Sequence, residues 1–131
     1  MNPSGNKDLF AQKSRSVLRA IHSNVQHIEA SAVVTADGIT VASLLSEHAD
    51  ADRFGAMCAS LLALATRAAN EVDRGALRQV ILDGTKGPML LTHAGTSAVL
   101  AIAAHPSANL GRLILETRKA AAELGELARG E

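Results

Sequence analysis

The sequence predicts an α/β (α+β) fold: three α/β/α layers around a five-stranded, mostly antiparallel sheet, in the element order α-β-β-α-β-β-β-α. Three observations lead there. Apolar residues recur at helical spacing in three separate stretches. Asp37-Gly38 stands between two β-rich runs, as a two-residue hairpin turn demands, because both of its central residues take positive φ. The run Ala98 to Ala104 is apolar at both alternating sets of positions, which marks a strand covered on both faces. A two-layer α+β arrangement is the competing solution, since alanines in that run could face water at little cost.

The elements follow in order. Residues 1–8 form a polar tail, residues 9–127 a single domain and residues 128–131 a short C-terminal tail. Phe10, Val17, Leu18, Ile21, Val25 and Ile28 lay one apolar stripe along a first helix, with Lys13, Arg15, Arg19, Gln26 and Glu29 outside. Ala32 to Thr35 and Ile39 to Ala42 make the hairpin. Asp50 or Asp52 can cap a second helix running to about Asp73. Its core side carries Phe54, Met57, Cys58, Leu61, Ala65, Ala68 and Val72, and Gly75 ends it. Leu77 to Leu82, Met89 to Thr92 and Ala98 to Ala104, broken by Gly84, Gly87, Pro88 and Gly95, read as a meander. A last helix starts after Pro106, with Leu110, Leu113, Ile114, Ala121 and Leu124 inward.

Composition excludes several functions. Thirteen basic and thirteen acidic residues cancel, so no global field gathers nucleic acid. Without Trp or Tyr, and with only Phe10 and Phe54, the stacking platforms for single strands are missing too. No stretch reaches the roughly 18 apolar residues of a membrane span, and the N-terminus does not resemble a secretory signal. The lone Cys58 cannot form an internal disulfide, which fits a reducing, cytoplasmic setting.

Catalytic constellations are equally hard to assemble. Asp83-Gly84-Thr85-Lys86-Gly87 has letters of a phosphate loop, but a P-loop lies between a strand and a helix, and here strands flank it. It reads as a hairpin loop. His22, His27, His48, His93 and His105 offer no i, i+4 pair and no neighbouring cysteine, so no metal is expected. No Gly-x-Ser-x-Gly elbow frames a serine, and Cys58 falls on an apolar helix face. The chain is therefore expected to be no enzyme and to need no cofactor.

The second helix carries a different signal. Gly55, Ala59, Ala63, Thr66 and Asn70 form an uncharged row of small residues. One reading is an alanine-rich solvent face; the other is a close helix–helix contact that meets itself across a two-fold axis, a homodimer interface. Arg53, Arg67, Glu71 and Arg74 lie toward the flank of that row, where a third protein could touch them.

Val33-Val34-Thr35-Ala36-Asp37-Gly38-Ile39, and Arg53-Phe54-Gly55-Ala56-Met57 leading into Leu61-Leu62-Ala63-Leu64, resemble the Roadblock (dynein light chain type) domain family. Met89-Leu90-Leu91-Thr92-His93-Ala94-Gly95, Val99-Leu100-Ala101-Ile102 and Asn109-Leu110-Gly111-Arg112 extend the resemblance to about Leu124. It implies a homodimer whose sheets join edge to edge and whose middle helices pair. It also implies a Ras-like small GTPase as partner, as for the bacterial gliding-motility (Mgl type) regulators. Such a regulator or scaffold need supply no catalytic group, because it can stimulate hydrolysis by shifting the partner's switch loops. A small-molecule-sensing domain is the alternative, since a sheet flanked by helices suits that role as well.

Overall fold

The computed structural model describes residues 3–129 and has the expected order: α1 (Pro3–Asn24), β1 (Ile28–Thr35), β2 (Thr40–Leu44), α2 (Ala51–Glu71), β3 (Gln79–Gly84), β4 (Gly87–Ala94), β5 (Ala98–Ala104) and α3 (Leu110–Ala128). Every strand pair is antiparallel, in the spatial order β2-β1-β5-β4-β3. The first helix begins inside the stretch read as an N-terminal tail, of which residues 1 and 2 lie outside the described residues. At the other end, Ala128 closes α3 and Arg129 caps it, while residues 130 and 131 lie outside the description.

Two cores share the sheet. On one face α1 and α3 pack Leu18, Ile21, Leu113 and Leu124 against Val33, Leu90, Leu100 and Ile102. On the other, α2 packs Cys58 and Leu62 against Ala32, Val34, Leu91, Val99 and Ala101. Successive residues of β5 thus point into different cores, which is why that strand has no polar face. Each fully buried Leu or Ile contributes about 1.5–3 kcal/mol. The three-layer solution wins over the two-layer one because β5 has something to bury on both sides.

The turns differ in detail from expectation. The first hairpin closes with three residues: the Gly38 amide donates to the Thr35 carbonyl at 2.9 Å and the Thr35 amide to that of Ile39 at 2.8 Å. Only Gly38, at φ +95°, takes positive φ, whereas a two-residue turn would need it at Asp37 as well. The Thr35 hydroxyl donates to the Asp37 carboxylate, which holds that carboxyl below its ordinary pKa. Asp50 caps α2, accepting from the Arg53 amide at 3.1 Å. That helix ends earlier than Gly75, on Asp73 at φ +55°, with the Arg74 amide bonded to Ala69 O and the Asp73 amide to Asn70 O. This six-to-one and five-to-two pairing is a Schellman motif formed without glycine. Asn109 caps α3 through the Arg112 amide, and Leu110 beside it is exposed rather than inward. Thr85-Lys86 is the two-residue turn of the β3–β4 hairpin, so the phosphate-loop letters form a hairpin as expected. Gly87 opens β4 at φ +127°, against the Ala104 carbonyl oxygen, where any Cβ would collide.

Polar ties join the layers. His22 Nε2 and Ser31 Oγ share a 2.8 Å hydrogen bond between α1 and β1. Gln79 donates to the hydroxyls of Thr92 and Thr117 at 2.8 and 3.2 Å, linking β3 and β4 to α3. Among the described residues no helix is long and apolar enough to cross a membrane.

Candidate partner interface

The interface begins with how α2 is rotated. Its buried residues are Gly55, Cys58, Ala59 and Leu62, so the face turned to the sheet is the one containing the first half of the small-residue row. Gly55 lies under Thr40, 3.2 Å from the Gly38 carbonyl oxygen and 3.4 Å from Val34 Cγ1 as measured to an added Cβ, and that Cβ would overlap Thr40 Oγ1. The same hydroxyl donates to the Ala51 carbonyl at 2.7 Å, pinning the start of α2 to β2. Gly55 and Ala59 therefore correct the expected dimer row: they let α2 sit close on its own sheet and are closed to a second copy. Thr66 is half-buried and bonds back to Leu62 O at 2.8 Å, while Ala63 and Asn70 are exposed.

The outward face is apolar nonetheless. Met57 is 59% exposed, Leu64 62% and Val72 61%, and on the α2 side of β3 Leu82 is 37% exposed, whereas Ile81, 43% exposed, lies on the opposite side of the sheet with α3. Met57 and Val72 were expected in the core. They share helical periodicity with Phe54, Cys58 and Leu61, but α2 carries apolar residues around more than half its circumference and the sheet covers only one side. The signal that could have found the outer face is Leu64, which fits neither the core stripe nor the small row.

Below that face, β3 is the last strand of the sheet, with one edge unpaired. Within its own chain α2 packs on β1, β2 and β5, and on the same side of the sheet Val80 and Met89 are only partly buried. The chain thus leaves two surfaces of its own uncovered, the exposed apolar side chains of α2 and the open edge of β3.

The four charged positions separate. Arg53 stands in the first turn of α2, and Arg67 and Glu71 in its last turns, about 21 and 27 Å away at 1.5 Å per residue. Arg74 follows the helix, its Nε donating to Val72 O at 2.9 Å. All four are exposed, but only Arg67, Glu71 and Arg74 share one end of the helix. Cys58, 2% exposed, has its thiol pushed up to about 11 by burial, in keeping with a packing role.

Residues 19–104 match the model of the Roadblock/LC7 domain. Among curated relatives, uncharacterized protein MJ1340 of Methanocaldococcus jannaschii is 38% identical over 96 residues, 73% of this chain and 82% of that protein. Protein MJ0310 of the same organism is 34% identical over 94 residues, 72% of this chain and 82% of its own length. Among solved structures, Myxococcus xanthus MglB superposes with a TM-score of 0.84 at 18% identity, covering 92% of this chain and 90% of that one. The gliding protein MglB of Thermus thermophilus gives 0.80 at 17% identity, covering 93% of each chain. These structures share the fold and element order; with the family model matching most of the sequence, the chain belongs to the Roadblock/LC7 domain family.

Proposed function

We propose that this protein is a non-enzymatic homodimeric regulator or scaffold that binds a Ras-like small GTPase and acts on it by preferring one nucleotide state. The observation that carries the reading is the uncovered apolar surface of α2 together with the free edge of β3, with Met57, Leu64, Val72 and Leu82 exposed. Joining two β3 edges would extend the sheet into a ten-stranded one (two copies of the 5-stranded sheet) and lay the two α2 helices side by side, burying those side chains. Family membership and the likeness to MglB, one structure of which is described as having a tetrameric arrangement, support self-association. Ala63, Thr66 and Asn70 then border the helix pair, while Gly55 and Ala59 stay inside each subunit.

The GTPase would meet the surface bordering the paired helices, where Arg67, Glu71 and Arg74 cluster, with Arg53 at the far end. A regulator moves its partner's equilibrium only by differential affinity, and tenfold discrimination corresponds to about 1.4 kcal/mol. The experiment is titration of the protein into a Ras-like GTPase of the same organism, loaded with GDP or a non-hydrolysable GTP analogue, beside single-turnover hydrolysis. Unequal affinities support regulation, and faster hydrolysis identifies an activator. Equal affinities with unchanged hydrolysis and exchange leave a scaffold. No binding to any such GTPase overturns the reading.

A further inference from the structure

Two adjoining clefts of about 470 and 540 Å³ lie where the start of β3 meets α3, and they share Leu77, Arg78 and Arg118 as lining. Arg74 and His93 stand at their outer ends, one in each cleft. No Asp or Glu lines either one. In a chain whose formal charge is zero, this is a local excess of positive charge brought together from three separate segments: the α2–β3 connection, the flank of β3 and α3. Neither Arg78 nor Arg118 has a hydrogen bond or an ion pair among the described residues, and the Arg74 guanidinium is engaged only through its Nε to a backbone carbonyl. Like charges at close quarters repel, and carboxylates usually answer them. Here the answering charge is missing.

We propose that this cleft binds a small organic phosphate, its phosphoryl group held between the guanidinium groups of Arg78 and Arg118. The guanidinium fork matches phosphate and carboxylate oxygens alike. Phosphate fits better here because its dianion carries twice the charge of a carboxylate to set against two guanidinium groups, and its tetrahedral oxygens accept from several directions. Leu77 and Ala121 give the cleft an apolar wall for the organic remainder, and its volume lies in the range of small-molecule sites. The site is centred on α3, the start of β3 and the β4 end, and through Ala69 and Arg74 it borders the surface proposed for the GTPase, while its two central arginines are not part of that surface.

The test uses the full chain and three probes: phenyl phosphate, inorganic phosphate and benzoate, each titrated calorimetrically and followed by amide chemical shifts. The expected result is saturable binding of phenyl phosphate at one site per chain, tighter than inorganic phosphate and much tighter than benzoate. Arg78→Gln and Arg118→Gln should each weaken it by about tenfold or more, whereas Arg15→Gln on α1 should not. Both arginines are exposed, so these variants should melt like the parent, and a matching melt confirms that a loss belongs to the site. Absence of saturable binding at millimolar concentrations, binding by either glutamine variant as tight as the parent's, or benzoate binding as tight as phenyl phosphate would overturn the proposal.

Discussion

Gly55 and Thr40 occupy one space: the Thr40 hydroxyl sits where a Cβ on Gly55 would be, and from there it donates to the Ala51 carbonyl. A glycine inside a helix ordinarily costs about 1 kcal/mol relative to alanine. Here its bareness admits the side chain that fastens β2 to α2.

Gly55→Ala should therefore destabilise the protein despite the helix propensity it gains. Overpacking costs about 1–3 kcal/mol, and displacing Thr40 Oγ1 weakens its hydrogen bond besides. Thr40→Ala should remove the clash, so the double variant should lose less than the sum of the two single losses. Thermal or urea unfolding of the four proteins in this cycle gives the coupling directly. Additive losses would show that the two residues act independently.

Met57→Glu and Leu64→Glu should each dissociate the proposed dimer without unfolding the subunit. In the single chain both side chains already face water, whereas at the paired helices each carboxylate would be buried, at a cost of several kcal/mol and in two copies. Sedimentation should show weakening by about hundredfold or more, with Arg15→Glu as the unaffected control. Ala59→Glu is a different experiment. Because Ala59 is buried under its own sheet, that change attacks the fold and says nothing about assembly.

The contrast shows what the sequence disclosed about α2 and what it withheld. Phe54, Cys58 and Leu61 turn inward as their spacing indicated, and of the two candidate caps, Asp50 and Asp52, it is Asp50 that caps the helix. Periodicity defines a face but does not say which surface covers it. The small residues Gly55 and Ala59 pointed correctly to close packing, but the close neighbour is β2 and the hairpin of the same chain. That distinction depends on strand order, which brings Gly38 and Thr40 beneath the helix and cannot be read from spacing along α2. The same limit applies to the cleft at Arg78 and Arg118, far apart in sequence and joined only by the fold. The element order, by contrast, was legible because Gly and Pro punctuate it and β5 is apolar on both faces.

Acid should weaken the fold through His22. Burial lowers its pKa below the ordinary histidine value of 6.5, so the unfolded chain takes up the proton more readily than the native one. The stability that the neutral ring contributes is complete above the unfolded pKa and is lost as pH falls below it, down to the native value. Melting temperature should drop as the pH falls below about 6.5, and His22→Gln, which can keep a bond to Ser31, should flatten that drop. An identical slope in the variant would place the sensitivity elsewhere.

The thiol of Cys58 should resist modification in the native protein. With its pKa at about 11 and 2% of the residue exposed, almost no thiolate forms at neutral pH and little of it is reachable. Alkylation by iodoacetamide should proceed only as fast as α2 opens, and should accelerate sharply in denaturant. Rapid labelling of the folded protein would mean that α2 opens readily from the sheet.

The pairing of β1 with β5, in register from Ser31 opposite Ile102 to Thr35 opposite Ala98, has a consequence for how the protein is made. The middle of the sheet joins the first strand of the chain to the last, so β1 and β2 leave the ribosome as an incomplete hairpin and wait for almost the whole chain to follow. During that interval Val33 and Val34 have no β5 to shield their strand's inner edge. Long-range strand pairing of this kind is slow and leaves intermediates prone to aggregation. A stalled nascent chain ending before Ala98 should therefore be captured by chaperones, whereas one extended past α3 should be released.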